Sequence, residues 1–333
     1  MRVLNSLLFF LIFFRISSAQ NIHFTPEKIS ELNTVLDNHN SRAFIIYQNG
    51  KIINEKYFGK TISKRKDFDE YSPWYWASAS KSLCAVLLGI AQQKGFLNVQ
   101  DPVSKYLGQH WSAMPETQEN KIKIIHLLSM DSGLDYISDK NCNAANCLKY
   151  KDEPGKVWFY NSDAYYLLHK ILEKATNKSL DEFTQQELGN KIKMYGKWVN
   201  YKGANIYFSN AKSFLNFGKL ILEKGKFEGK FIFNWDDYFT KMLQSSQNIN
   251  PSYGYLWWLN GKSSITFPGL TQSFKQSLDP FAPKDLCAAL GKNGQFLDVV
   301  PSENLIIVRF GEAPDANAVP IKFHREMWRE IMK

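Results

Sequence analysis

The sequence has few of the residue types and patterns that build metal sites or membrane anchors. Its 333 residues include only four cysteines and six histidines. No cysteine pair has zinc-ligand spacing and the histidines do not cluster, so we expect no metal and no cofactor. After residue 19 no apolar run is long enough to span a bilayer, and internal repeats and low-complexity segments are absent. These absences favour a globular chain that works through ordinary side-chain chemistry.

The charge of the chain points away from nucleic acid. The formal net charge is +9, but the basic residues are scattered along the sequence and no nucleic-acid-binding motif is present. This pattern favours a solvated basic surface and predicts no nucleic-acid partner. A hydrophobic content of 44% with 15% aromatic residues allows a sizeable core and argues against disorder.

Residues 1–19 have the pattern of a secretory signal peptide. Arg2 is followed by an apolar run over 7–14 and by small residues at 17–19, just before Gln20. We therefore expect export, to the periplasm or outside the cell, without stable membrane insertion after cleavage. An exported protein can form disulfides, and whether Cys142 and Cys147 close a small loop is left open.

Strand patterns lie at both ends of the chain and helical patterns lie between them. The Asn49-Gly50 pair predicts a tight hairpin near the N-terminus. Strands are predicted at 43–47, 51–55, 253–259, 286–290, 295–300 and 305–310, with terminal helices at 26–40 and 321–332. The sequence thus predicts an α/β (α+β) fold in which an antiparallel sheet, built from both chain ends, is flanked by helices.

This pattern also predicts how the chain is divided. We expect a single domain over 20–333, with a sheet lobe formed by 20–77 and 251–333. A mostly helical second lobe is expected over 78–250.

The segment Ser78-Ala79-Ser80-Lys81 is the first candidate for chemistry. It stands at the predicted start of a buried helix, so the serine and the lysine three residues later share one helix face. The positive end of the helix favours an anion beside Ser78. A serine nucleophile with a lysine partner needs this arrangement. The alternative is a helix-capping serine followed by a lysine that reaches solvent.

Two later segments complete a three-part pattern. Tyr160-Asn161-Ser162 precedes a predicted helix, and Lys292-Asn293-Gly294-Gln295 enters a predicted strand. The order S-x-x-K, Y-x-N or S-x-N, then K-x-G or H-x-G resembles that of the penicillin-recognising serine hydrolases. Over nearly the whole mature chain the sequence is similar to the class C β-lactamase-related family, which implies a β-lactamase/transpeptidase-like fold.

Details of these motifs are similar to different branches of that family. Ser162 stands where β-lactamases have asparagine, and the segment 294–311 resembles the esterase and nylon-oligomer-hydrolase branch. Lys292, in contrast, is the residue that β-lactamases have at that point, whereas many esterases have histidine. The substrate therefore stays open.

The resemblance implies an acyl-enzyme mechanism. Ser78 attacks a carbonyl, and either Lys81 or Tyr160 takes its proton; we favour Tyr160, with a pKa lowered by Lys81 and Lys292. The backbone N–H groups of Ser78 and Gln295 are implied as the oxyanion hole.

The remaining motif residues are given supporting roles. Gly294 lets substrate approach the strand closely. Lys292 binds a substrate carboxylate or tunes Tyr160, and Ser162 hydrogen-bonds Lys81 or the substrate. Four aromatic residues are candidates for the cleft walls, namely Trp74, Trp76, Tyr136 and Trp158.

We therefore expect an exported serine hydrolase that cleaves an ester or amide bond in a small ester, amide or peptide. A β-lactamase or a penicillin-binding, D,D-peptidase-like protein is the alternative. A third possibility is a non-catalytic binding protein with the same fold. The presence of all three catalytic side chains argues against it.

Overall fold

The structure is a computed structural model that describes residues 22–137, 144–201, 204–315 and 320–333. The predicted signal peptide at 1–19 and Cys142 lie outside these residues. The α-helices in this part of the chain are α1 Pro26–Asn38, α2 Ser80–Gln93, α3 Ser104–Leu107, α4 Glu116–Glu119, α5 Ile124–Leu128, α6 Ser162–Thr176, α7 Leu180–Thr184, α8 Ala211–Leu222, α9 Asp237–Met242 and α10 Ile321–Ile331. The strands are β1 Ser41–Gln48, β2 Lys51–Tyr57, β3 Trp74–Tyr75, β4 Gly196–Tyr201, β5 Ala204–Ser209, β6 Lys226–Phe227, β7 Lys230–Phe231, β8 Trp258–Leu259, β9 Ile265–Thr266, β10 Ser273–Phe274, β11 Cys287–Gly291, β12 Gln295–Val300 and β13 Leu305–Gly311.

The main sheet joins the two ends of the chain. Its strand order is β2-β1-β13-β12-β11-β8, and every neighbouring pair is antiparallel. The first strand pairs directly with the last, with Ile45 opposite Val308. Asn49 and Gly50 close the first hairpin with φ values of +50° and +84°, as an Asn-Gly turn requires. The predicted fold class, an antiparallel sheet built from both chain ends and flanked by helices, is confirmed.

Helices cover both faces of this sheet, which explains why its central strands are apolar without a break. Every residue of β12 and β13 is buried. Gly218 of α8 lies on one face, where a Cβ would come within 2.8 Å of Leu297 and 3.0 Å of Ile306. Phe323 of α10 stacks near Phe296, with ring centroids 6.2 Å apart. A charged residue inside such a strand is therefore exceptional.

Outside the main sheet lie strands that the sequence did not lead us to expect. β3, β5 and β4 form a three-stranded sheet in that order, and β6 and β7 form a hairpin. The predicted strand at 253–259 is wrong in extent, because only Trp258–Leu259 is a strand. Leu256 adopts a left-handed φ of +59°, which ends extended pairing at that residue.

The described cysteines differ in whether they form a disulfide. Cys84 and Cys287 are free and buried, as small apolar residues of the core. Cys147 is disulfide-bonded. Among the described residues, no helix combines the length and the apolar character needed to cross a membrane.

Candidate active site

Ser78 lies in a tight turn immediately before the buried helix. A 3₁₀ turn covers Ala77–Ala79, and α2 begins only at Ser80. The expectation that Ser78 opens the α-helix is therefore wrong in detail, because Ser78 lies in the short turn before it. The turn is anchored on β5, since the Trp76 N–H donates to the Tyr207 carbonyl at 2.9 Å and the Tyr207 N–H donates to Ser80 Oγ at 3.0 Å. Ala77 has a left-handed φ of +49°, an unfavourable conformation for a residue with a Cβ.

Lys81 reaches the serine from inside the protein. Its residue exposure is only 4%, and Nζ donates to Ser78 Oγ at 3.4 Å. Nζ also lies over two aromatic rings, 5.0 Å from the centroid of Tyr160 and 4.5 Å from that of Tyr165. Burial lowers the pKa of Lys81 from 10.5 to about 7, although the negative charge of Asp163 opposes this shift. A fraction of the Lys81 side chains is therefore neutral near pH 7.

Tyr160 lies two residues before α6, and its ring faces Lys81 Nζ. Its ring stacks on Trp258 with centroids 6.0 Å apart. Burial raises the pKa of Tyr160 well above its usual value, and a hydrogen bond with Ser78 offsets this only in part. The expectation that Lys81 and Lys292 lower the pKa of Tyr160 is therefore wrong, because the cost of burying a phenolate outweighs the help from nearby donors.

The second motif forms the first turn of α6. Asn161 is the helix cap, and its Oδ1 accepts hydrogen bonds from the Asp163 N–H at 2.9 Å and the Ala164 N–H at 3.1 Å. Ser162 is the first helical residue and is partly buried. Lys81 Nζ donates to Ser78 and not to Ser162, so the expected contact between Ser162 and Lys81 is absent.

The third motif is the turn between β11 and β12, and it packs against the segment that carries Ser78. A Cβ on Gly291 would lie 2.4 Å from the Trp76 carbonyl oxygen, so this strand end touches the start of the Ser78 turn. The Asn293 side chain donates to the Tyr75 hydroxyl at 2.8 Å. Lys292, between these two residues, is exposed. The fold thus brings together residues from three distant parts of the chain.

Gln295 and Arg309 hold this turn from the inside. Gln295 is fully buried, and its side-chain amide donates to the Gly311 carbonyl at 2.7 Å while its Oε1 accepts from the Gly311 N–H at 3.1 Å. Arg309 is also fully buried, and its Nη1 donates to the carbonyls of Asn293 at 3.0 Å and Gly294 at 2.7 Å. The sequence reading missed Arg309. The available signal was a charged residue inside an apolar strand, since buried charges are rare without partners.

An open cleft of about 670 Å³ has Tyr160 in its wall, whereas Ser78, Lys81 and Lys292 are not among the described residues that line it. Three aromatic rings line it, and those of Tyr136 and Phe159 are stacked with centroids 4.4 Å apart. The other described lining residues are Asp135, Ile137, Asn161, Ser162, Asp163 and the segment 269–272. Trp74, Trp76 and Trp158 do not line it: each is at most 2% exposed and belongs to the core. Of the four aromatic candidates for the walls, only Tyr136 lies there.

Comparison with known proteins assigns the sequence to one family. A family model described as Beta-lactamase matches residues 37–215, more than half of the chain. An uncharacterized protein from Alkalihalophilus pseudofirmus is 26% identical over 314 residues, covering 85% of this chain and 86% of that protein. The teichoic acid D-alanine hydrolase of Staphylococcus aureus (strain MRSA252) is 25% identical over 189 residues, covering 55% of this chain and 47% of that protein.

A solved structure shares the fold. The putative 6-aminohexanoate-dimer hydrolase from Bacillus anthracis superposes with a TM-score of 0.70 at 19% identity, covering 90% of this chain and 81% of that one. This likeness extends over both the main sheet and the helical lobe.

Proposed function

The chain belongs to the β-lactamase family of serine hydrolases, and we propose that it hydrolyses esters or amides of small acyl groups through an acyl-enzyme on Ser78. One observation carries the proposal: Lys81 Nζ lies 3.4 Å from Ser78 Oγ, and burial lowers the pKa of Lys81 to about 7. A serine hydroxyl is a weak nucleophile until a nearby base takes its proton, and a neutral amine at this distance is such a base.

In the proposed mechanism Lys81 is the base of the free enzyme. Ser78 Oγ attacks the substrate carbonyl while its proton passes to Lys81, and the leaving group departs with a proton returned from the Lys81–Tyr160 pair. Water then attacks the acyl-enzyme and regenerates Ser78. Tyr160, whose pKa burial raises, remains a neutral hydroxyl that can donate to the leaving group.

The cleft supports a preference among acyl groups. Its described lining includes the carboxyl side chains of Asp135 and Asp163 and no lysine or arginine, although the whole chain carries a net charge of +9. Aromatic faces beside carboxylates suit a cationic group. We therefore favour acyl groups that carry an ammonium, such as an aminoacyl group. The relative named teichoic acid D-alanine hydrolase is consistent with this preference.

Penicillin recognition is the second candidate, as β-lactam hydrolysis or as slow acylation in a D,D-peptidase-like protein. The exposed position of Lys292 at the β11–β12 turn favours it, because a cation there suits the carboxylate of such substrates. A non-catalytic binding role is the third candidate, and failure of Ser78 to react with a fluorophosphonate probe would support it.

A matched series of substrates tests these alternatives. We would measure kcat/KM for p-nitroanilides or p-nitrophenyl esters of alanyl, N-acetylalanyl and succinyl groups, together with nitrocefin and a D-Ala-D-Ala peptide. Alanyl substrates should be preferred over succinyl ones by about tenfold or more, as one favourable charge contact provides. Asp135→Asn should reduce that preference. Ser78→Ala is the control, and hydrolysis retained in it would contradict the mechanism.

We also propose export of the protein. The basic start, apolar run and small residues of 1–19 support it, and so does a disulfide-bonded Cys147, since disulfides persist mainly in oxidising compartments. Mass spectrometry of the protein from its native host should find Gln20 as the first residue. An intact N-terminus in the mature protein would contradict this.

A further inference from the structure

A basic loop at residues 60–66 follows the end of β2. Its cationic side chains Lys64, Arg65 and Lys66 are adjacent in sequence and all exposed. The loop is nevertheless tightly folded, because the Thr61 N–H donates to the Lys66 carbonyl at 3.0 Å and the Lys64 N–H donates to the Thr61 carbonyl at 2.8 Å. The backbone therefore holds three cations close together on one surface.

Two carboxylates beside the basic loop already have cationic partners. Lys60 Nζ lies 2.6 Å from a carboxylate oxygen of Asp67, and Arg42 Nη2 lies 2.8 Å from one of Glu312. The three exposed cations of the loop form no ion pair with any residue that the structure describes. Their charges are therefore available to an anionic partner.

The basic loop lies at the same end of the main sheet as the third motif. At this end Tyr57 of β2 is opposite Ala43 of β1, and Gly311 of β13 is opposite Ser41. β12 begins beside the end of β13, directly after the turn that carries Lys292. The strand order β2-β1-β13-β12 leaves three inter-strand spacings, so the ends of β2 and β12 are about 15 Å apart.

The chain between the basic loop and the nucleophile follows these strand ends. The Trp74 indole donates to the Gly311 carbonyl at 3.2 Å, at the end of β13. The Tyr75 hydroxyl accepts from the Asn293 side chain at 2.8 Å, in the third motif. Ser78 comes three residues later. The same end of the sheet thus presents the basic loop, the exposed lysine of the third motif and the nucleophile.

We infer that this end of the sheet binds a linear anionic polymer, held by the basic loop and by Lys292, to which the acyl group of the substrate is ester-linked. This inference rests on the proposed function, because it concerns the leaving group of the same acyl transfer. The acyl carbon gains a bond to Ser78 Oγ and loses its bond to a polymer oxygen. The polymer then departs as a free hydroxyl, with a proton in place of the acyl group.

The composition of this surface favours a polymer over a lipid bilayer. Neighbouring cations neutralise successive charges along an anionic chain. Binding to a bilayer also needs an apolar face, and the basic loop has only one large apolar side chain, Ile62, which is 52% exposed. The carboxylates of Asp135 and Asp163 line the separate cleft and suit an ammonium on the acyl group. The two parts of the substrate would therefore meet surfaces of opposite charge.

The test compares two triple variants that remove the same number of charges. The first replaces the three exposed cations of the basic loop, as Lys64→Gln/Arg65→Gln/Lys66→Gln. The second replaces three exposed lysines at the β6–β7 hairpin, as Lys224→Gln/Lys226→Gln/Lys230→Gln. This hairpin follows Lys219, whose Nζ lies 4.6 Å from the ring centroid of Tyr47, at the opposite end of β1.

Alanyl esters of dextran sulfate and of neutral dextran are the matched substrates. The wild-type enzyme should show a kcat/KM about tenfold or more higher for the sulfated polymer at about 50 mM salt, and most of this preference should disappear at about 200 mM. The basic-loop variant should lose the preference at low salt, and the hairpin variant should keep it to within about twofold. Equal losses in the two variants would overturn the inference, because they would show an effect of net charge alone.

Fluorescent dextran sulfate measures binding without chemistry, in protein that carries Ser78→Ala. Adding the basic-loop substitutions should raise its Kd about tenfold. An unchanged Kd would overturn the inference even if small esters are hydrolysed. Loop-dependent binding to phosphatidylglycerol vesicles, without any preference for dextran sulfate over dextran, would overturn it in favour of a lipid surface. Hydrolysis retained in Ser78→Ala would instead overturn the proposed function, whatever the polymer binding.

Discussion

The Nδ1 atom of His324 lies 2.8 Å from a carboxylate oxygen of Asp279, and both side chains are fully buried. On the other edge of the ring, Nε2 lies 3.0 Å from Asp298, which also accepts from the Trp328 indole at 2.7 Å. Asp298 belongs to β12, the strand that begins at Gln295. The cluster therefore ties this strand to α10 and to the loop residue Asp279.

The His324 cluster predicts how stability depends on pH. Burial acts to lower the pKa of His324, but the two carboxylates prevail and raise it from 6.5 to about 10. The folded state then holds a proton that the unfolded state releases above pH 6.5, so stability falls as pH rises from about 6.5 to 10. The pKa of Asp279 is lowered despite burial, chiefly by the hydrogen bond from His324, so its contribution is lost as pH falls below 3.8. The free energy of unfolding, measured with denaturant at a series of pH values, should therefore be highest between pH 3.8 and pH 6.5.

Replacing His324 should abolish the alkaline part of that profile. His324→Gln leaves two buried carboxylates without their cation, and we expect a loss of about 3–5 kcal/mol in the free energy of unfolding. The control is His110→Gln, at an exposed histidine, with an expected change under about 0.5 kcal/mol. An unchanged slope above pH 6.5 in His324→Gln would contradict the assignment.

The pH dependence of catalysis should follow Lys81. Because the base must be neutral and the pKa of Lys81 is about 7, kcat/KM should rise with pH through this value and then level off. Lys81→Arg keeps a charge that cannot be lost near neutral pH, so its acylation by a fluorophosphonate should fall by about 10²-fold or more. A profile that rises only at the pH of a free tyrosine would instead favour Tyr160 as the base.

Gly294 should be far less tolerant of substitution than a glycine of similar conformation. Gly294 and Gly95 have φ values of +77° and +75°, but a Cβ on Gly294 would lie 2.3 Å from Arg309 Nη1, while nothing lies within 4 Å of one on Gly95. Gly95→Ala should cost about 1–2 kcal/mol from backbone strain alone. Gly294→Ala should cost at least about 1 kcal/mol more, since it displaces a buried guanidinium. Urea unfolding of both variants measures the difference; equal losses would contradict this packing.

The turn that carries Ser78 contains strain that one substitution should release. Ala77 has a φ of +49°, whereas Ala79 has an ordinary helical φ of −61°. Ala77→Gly should stabilise the protein by about 0.5–1 kcal/mol, because the relief of the left-handed Cβ exceeds the entropy cost of glycine. Ala79→Gly, two residues away, should destabilise it by about 1 kcal/mol. Thermal unfolding of the pair should therefore show shifts of opposite sign.

The sheet of the main lobe could be predicted from sequence because its signals are local. The Asn49-Gly50 turn and the apolar runs of the last strands each identify their own element, and the strand pairing follows from joining the chain ends. The small sheet of β3, β4 and β5 escaped prediction, since β3 has only two residues and owes its pairing to a distant segment.

The candidate site was predictable in its members but not in its electrostatics. The three motifs name Ser78, Lys81 and Tyr160, yet the sequence does not say how deeply each is buried. That depth lowers the pKa of Lys81 and raises that of Tyr160, which reverses our choice of base. Arg309 escaped notice for a related reason, because its carbonyl partners belong to the backbone and leave no mark in the sequence.

The pairing of the first strand with the last has a consequence for how the molecule is made. When a ribosome has completed α2, the Ser78–Lys81 pair already exists in sequence, but β1 still lacks its neighbour β13. Pairings this remote along the chain form late and slow the folding reaction. Ser78 therefore meets the turn at Gly294 only after nearly the entire polypeptide has been synthesised. Newly synthesised, unfinished chains should be catalytically silent.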